Sequence, residues 1–159
     1  LTAQANELQL PIARVHNGLF EQFLGAAGVD IAKNTVGVYS EALKKPLPVT
    51  GPSYLAAVLG ELVALPPAET LGRTFTVVEY EATGQDFIDA LAKVNGSQPA
   101  FTPYTAEAEA AAHASGIFGA LAASLQHKWA FGSFPNNDAF NPASIPRRTV
   151  EQSVTSLKQ

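Results

Sequence analysis

The chain of 159 residues contains no cysteine, which removes both a disulfide framework and any thiolate metal site. It contains no methionine either, so an initiator is missing and a segment upstream is expected to have been removed. Residues Thr2 to Leu10 lack the basic end and long apolar core of a secretory signal. The most apolar stretch, Tyr54 to Leu65, carries Gly60 and Glu61 and then meets Pro66-Pro67. That is well short of the roughly 18 to 20 apolar residues of a membrane span, so no membrane contact and a cytoplasmic location are expected. Positive charge is scarce, with 10 Lys and Arg against 14 Asp and Glu and adjacent basic pairs at Lys44-Lys45 and Arg147-Arg148. A phosphate backbone would meet no attractive field, and nucleic acid is not an expected partner.

What is present is the balance of one globular domain able to bury its own core, 47% hydrophobic and 15% charged. Few patterns in it carry chemistry. His16, His113 and His127 show no ligand spacing, so no metal site is expected. No serine sits in a Gly-x-Ser-x-Gly elbow, and catalytic residues are not identified. Gly25-Ala-Ala-Gly28 follows an apolar helical pattern instead of a strand, which makes it a helix stop and not a phosphate loop. Glu79 and Glu81 fall on one face of an expected strand, where they form either a like-charge pair or a solvated strand end. Asn95-Gly96-Ser97 matches a glycosylation sequon but coincides with a helix end.

Hydrophobic periodicity lays out the expected elements. Ala3 to Leu10 reads as the tail of a helix, and Pro11 to His16 as a strand stopped by Asn17-Gly18. Leu19 to Leu24 reads as a short helix with Leu19, Phe20, Phe23 and Leu24 on one face. Thr35 to Tyr39 and Leu47 to Thr50 are brief strands with a plausible mutual pairing, Pro46 and Pro48 restricting the second to an edge or irregular segment. Ser53 caps a helix to Leu65 whose buried face is Leu55, Val58, Leu59, Leu62 and Val63. Arg73 to Glu81 alternates as one strand, followed by a helix capped by Thr83 and stopped by Asn95-Gly96. One long Ala-rich helix is expected from Thr105 to Trp129, then a loop from Phe131 to Pro146. Thr149-Val-Glu-Gln152 is a capping box that opens a final helix.

The order of these pieces resembles the second half of NmrA-like, isoflavone-reductase-like proteins. The resemblance is carried by LQLPIARVHNGLFEQF with its Asn-Gly-x-Phe passage, by NTVGVYSEALKKPLPVT, by GRTFTVVEYEATGQDFIDALAKVNG, and by the FTPYTAEAEA and IFGALAASLQHKWAFGSF stretches with RRTVEQSV. Where that family has Thr-x-x-x-Asp, this chain has Thr50-Gly-Pro-Ser-Tyr54, with Tyr54 in place of the acid. The family's Gly-x-Gly-x-x-Gly type turn, which cradles a pyrophosphate, occurs nowhere in the chain.

The resemblance implies an α/β fold, the C-terminal part of a Rossmann-like NAD(P)-binding fold with its substrate-binding subdomain, lacking the N-terminal Gly-rich βαβ unit. It implies one domain over residues 1–159, in which 1–24 and 73–96 contribute strand-helix units of the sheet. NADP(H) or NAD(H) is expected for the complete protein, and no cofactor for this chain by itself, which should not transfer hydride unaided. Asn17, Gly18 and Phe20 are implied to line the cofactor. His16, Phe20, Tyr39, Tyr104, Phe118 and Trp129 are implied to face a hydrophobic substrate, with Phe131 and Phe134 nearby. The expected partner is an N-terminal dinucleotide-binding segment or a second copy of the chain. Two other readings stay open: a cofactor-less binder, isomerase or cyclase, and an NmrA-type redox-sensing regulator.

Overall fold

The structure, a computed structural model, describes Glu7, residues 12–134 and residues 139–158. The expected helix over Ala3 to Leu10 lies outside the described residues apart from Glu7. Among the described residues the chain builds three small sheets rather than one continuous surface. Strand β1 (Arg14–Asn17) runs parallel to β6 (Thr74–Val77), with Val15 opposite Phe75 and Asn17 opposite Val77. Strand β5 (Leu47–Thr50) lies between β2 (Leu19–Phe20), parallel to it, and β7 (Tyr80–Ala82), antiparallel. A third sheet joins β3 (Val29–Asp30), β4 (Thr35–Val36) and β8 (Ala100–Phe101).

Helix α1 (Pro52–Ala64) covers the first sheet. Its Tyr54, Val58 and Leu62, four residues apart, pack on Phe75 and Val77. The buried face is therefore rotated from the expected one: Val63 is 84% exposed and Leu59 is exposed too. The short α2 (Pro67–Thr70) follows. Helices α3 (Gly84–Asn95) and α6 (Val150–Leu157) pack together over the second sheet. Both begin with reciprocal capping boxes, Thr83 with Asp86 and Thr149 with Gln152, and α3 ends on Gly96 in the left-handed conformation. The main core lies between these layers and includes Leu24, Leu47, Phe87, Trp129 and Val154.

Several sequence expectations need correction. Leu19 and Phe20 are strand, not helix, because β5 offers them a partner; only Glu21–Phe23 turns, as a short 3-10 helix. Phe23 is exposed while Leu24 is buried, so the supposed common face does not exist. Strands β4 and β5 do not pair with each other. Pro48 sits in a central strand, where an edge or an irregular segment was expected. This is tolerated because Val49 turns its carbonyl to Glu79 on the β7 side, leaving Pro48 directed towards Gly18, where β2 has not yet begun.

The expected strand from Arg73 to Glu81 is broken at Val78 and Glu79, where the chain leaves one sheet for another. The expected long helix is two, α4 (Ala106–Ala114) and α5 (Ile117–Phe131), because Gly116 adopts φ 110° and ψ −174°. That backbone region is essentially open to glycine alone. The two helices form an αα-hairpin with Ser115 and Gly116 as its connection.

Candidate functional site

The site begins where β1 ends. The Gly18 N–H donates to the Val77 carbonyl (3.2 Å) and the Thr50 hydroxyl (3.0 Å), and Thr50 in turn donates to Val77 (3.0 Å). Gly18 must lack a side chain, since a Cβ there would stand 2.7 Å from the Pro48 carbonyl. The glycine therefore welds the first sheet to the second, and the exposed Asn17 amide donates to its carbonyl at 2.6 Å. His16 is exposed on β1, and Phe20 is half-buried at the end of β2. Asn17, Gly18 and Phe20 thus form one continuous rim.

Immediately beyond Phe20 the chain sinks a charge. Glu21 and Glu79 are both buried and share Arg148. Arg148 donates from Nε to Glu79 Oε1 (2.6 Å) and from Nη2 to Glu79 Oε2 (2.8 Å) and Glu21 Oε2 (2.9 Å). Ser153 donates to Glu21 (2.7 Å) while accepting from the Tyr80 hydroxyl (2.9 Å), and the Gly51 N–H donates to Glu79 (2.9 Å). Burial by itself would raise the Glu79 carboxyl, but the Arg148 hydrogen bonds, the Gly51 N–H and the guanidinium charge outweigh it and hold the carboxyl below its ordinary range. The bonds to Glu79 raise Arg148 further still, and burial pushes the Tyr80 hydroxyl up to about 12. The knot fastens the Asn17 to Phe20 rim, the start of α1 and the final helix to one another.

A second cluster lies under α4. Tyr39 is buried, with its ring edge-on to Tyr104 (5.1 Å) and Phe131 (4.9 Å). Its hydroxyl donates to Glu109 of α4, whose Oε2 also lies 3.1 Å from His127 Nδ1. His113 stands 3.7 Å from the other carboxylate oxygen. The Tyr39 hydrogen bond, followed by that of His127, lowers the Glu109 carboxyl, and burial followed by Glu109 raises the Tyr39 hydroxyl to about 12.

Of the residues singled out from sequence, the structure joins Tyr39 to Tyr104, and Asn17 and Gly18 to Phe20. Phe131 joins Tyr39 as well, while Trp129 and Phe118 stand apart. Trp129 is 1% exposed in the core, edge-on to Phe87 and donating its indole N–H to the Lys45 carbonyl (2.8 Å). Phe118 is 85% exposed on the outside of α5. Neither alternative for Glu79 and Glu81 holds, since Glu79 is buried against Arg148 and Glu81 is exposed. Tyr54 meets the Asn141 side chain at 3.1 Å, a wholly different partner chemistry from an acid. The Asn95 amide donates to Asn34 (2.7 Å) and its oxygen accepts from Lys158 (2.6 Å), so the sequon side chain is already engaged. Sequence reasoning missed Glu21 and Arg148. A basic residue before the final capping box and an acid after a motif loop were the available signals, and neither points to the other.

Most helix starts among the described residues already have a partner. The strand-to-helix turn at Gly51 would suit an anion, but its N–H already serves the Glu79 carboxylate. Thr83, Thr105 and Thr149 cap the starts of α3, α4 and α6. Among the described residues no group of acids and histidines is arranged to hold a metal, and no helix is long and apolar enough to cross a membrane.

No protein-family model matches the sequence, and none of the curated proteins does. The fold, by contrast, has solved counterparts. One is a leucoanthocyanidin reductase from Vitis vinifera in complex with NADPH, 13% identical with a TM-score of 0.77, covering 99% of this chain and 57% of that one. An isoflavone reductase matches at 11% identity and a TM-score of 0.75, over 98% and 55%. The Escherichia coli NADPH-dependent quinone oxidoreductase in complex with NADPH matches at 17% and 0.68, over 98% and 57%. The chain spans little more than half the length of these neighbours. Its α/β fold resembles part of the fold of these reductases, and identities this low show the fold alone.

Proposed function

We propose that the chain is the substrate-side, C-terminal part of an NAD(P)H-dependent oxidoreductase that acts in the cytoplasm on a hydrophobic small molecule. A dinucleotide-binding segment on its N-terminal side completes it. The observation that carries this reading is the near-complete superposition of the chain on just over half of reductases solved with NADPH. Two features agree with it. Strand β1 pairs with β6 and with no other described strand, as befits an inner strand awaiting a neighbour. Next to it, Val15, Leu59, Leu62, Val63 and Phe75 line an apolar groove of about 430 Å³.

In the complete protein the nicotinamide supplies the hydride. Asn17 and Gly18 shape the rim beside it, Phe20 lies against the ring, and Tyr39 and Tyr104 stand on the substrate side. We assign no phosphate contact to the described residues, and that task belongs to the completing segment.

Native mass spectrometry of the protein isolated from its own cells tests the reading. A 16.7 kDa chain travelling with further polypeptide and a dinucleotide is the expected result. A bare homodimer without nucleotide overturns it in favour of a cofactor-less binder or isomerase, β1 then being covered by a second copy.

A further inference from the structure

Helix α4 has no buried residue, and its sequence is mostly alanine. A nine-residue helix of this kind is marginal in isolation, so its position depends on what fastens it. At its far end the fastening is a backbone contact: Gly119 of α5 lets α4 approach so closely that a Cβ there would stand 2.4 Å from the Ala112 carbonyl. At its near end the fastening is Glu109, held by Tyr39 and faced by His127 and His113. Gly116 gives the hairpin a turn that other residues resist. Beneath lies Tyr39, its ring edge-on to both Tyr104 and Phe131.

We propose that α4 is a flap latched by Glu109, and that lifting it opens an aromatic site on Tyr39, Tyr104 and Phe131 for a flat ring bearing an oxygen acceptor. The assignment of this site to the substrate rests on the reductase reading above; the flap itself does not. Once Glu109 departs, the Tyr39 hydroxyl loses its acceptor, and such a donor is costly to leave unpaired. A ligand carbonyl or phenolate oxygen restores the bond while its ring replaces the cover that α4 provided. Closed, Tyr39 is shielded from water, although Phe131 beside it is 49% exposed and α4 buries no residue of its own. Local openings of this kind draw on the least stable elements of a fold.

The test uses the purified protein, hydrogen exchange and coumarin, a flat neutral ring with a carbonyl. Gly119→Ala should wedge α4 away while improving the intrinsic helicity of α5. The expected result is exchange in α4 amides about tenfold faster, with α3 and α6 unchanged, and coumarin bound several-fold more tightly. Adding Tyr39→Phe should abolish that gain in binding. If Gly119→Ala does not fold, Glu109→Ala should give the same pair of effects without steric strain, and Glu109→Gln, which keeps an acceptor for Tyr39, should stay closed. Unchanged α4 protection in the opened variants overturns the latch, and faster exchange without tighter coumarin binding overturns the site. Coumarin binding needs no dinucleotide, so failure here is distinguishable from failure of the reductase reading.

Discussion

Glu79 and Glu109 are both carboxylates held below their ordinary pKa range by hydrogen-bond donors, yet they serve opposite ends of the molecule's stability. Glu79 is 1% exposed and locked in two directions by one guanidinium, with a backbone N–H added. Glu109 sits on a helix that buries nothing, faced by imidazoles that are about half exposed. The difference teaches that a hydrogen-bonded carboxylate is a rivet where water is excluded and a latch where it is not. Ion pairs near solvent are worth little, whereas breaking a buried one strands a charge.

The most severe way to break this comparison is Arg148→Met, which leaves Glu21 and Glu79 buried without their cation. A loss of about 3 kcal/mol is expected, the lower end of the range for buried pairs because Arg148 is itself partly exposed. Urea unfolding followed by circular dichroism measures it. Glu109→Ala, run alongside, should leave the global midpoint almost unmoved; equal losses in the two variants would erase the distinction between rivet and latch.

Acid sharpens the contrast next. A carboxyl lowered in the folded state stabilises the fold above its unfolded pKa, and that contribution is lost as pH falls through the folded value. Stability should therefore decline below about pH 4.5, the ordinary carboxyl value. Glu79→Gln should flatten the decline, and Glu109→Gln should flatten it less, its carboxylate being the more exposed of the two. Unfolding free energies measured from pH 3 to pH 7 decide between them.

How much of this was legible in the sequence depends on the range of each interaction. The capping boxes at Thr83 and Thr149 and the stop at Gly96 need only neighbours three or four residues away. Periodicity found α1 but chose Leu59 and Val63 over Tyr54, because a tyrosine counts as amphipathic until its hydroxyl finds Asn141, 87 positions on. Arg148 and Glu79 are 69 positions apart, and nothing local in either segment calls for the other. The passage from Asn17 to Phe20 drew notice only through a family resemblance, whereas the contact between Tyr39 and Glu109, 70 positions apart, was half seen: the ring was noted and the carboxylate was not.

A milder probe of the rivet is Tyr80→Phe. It removes one hydroxyl from Ser153, which keeps its own bond to Glu21. The expected cost is about 1 kcal/mol, the usual net worth of one such bond, read as a small drop in urea midpoint with an unchanged slope. A loss as large as that of Arg148→Met would mean that the whole knot collapses when any member is removed.

The smallest global effect is expected at Gly116. Alanine there has to abandon φ 110° or bear the strain of a region that side chains avoid, a penalty on the order of 1–3 kcal/mol where the surroundings enforce the angle. In the rivet's neighbourhood such a penalty would reach the whole fold. Here the surroundings enforce it weakly, because α4 buries no residue of its own and its loosening uncovers little of the core beyond Tyr39. Gly116→Ala should therefore leave the unfolding midpoint within error of the parent while the amides of α4 lose protection against exchange. A fall in the midpoint comparable to that of Tyr80→Phe would show that the hairpin is coupled to the core after all, and that the latch carries more of the fold than its exposed partners suggest.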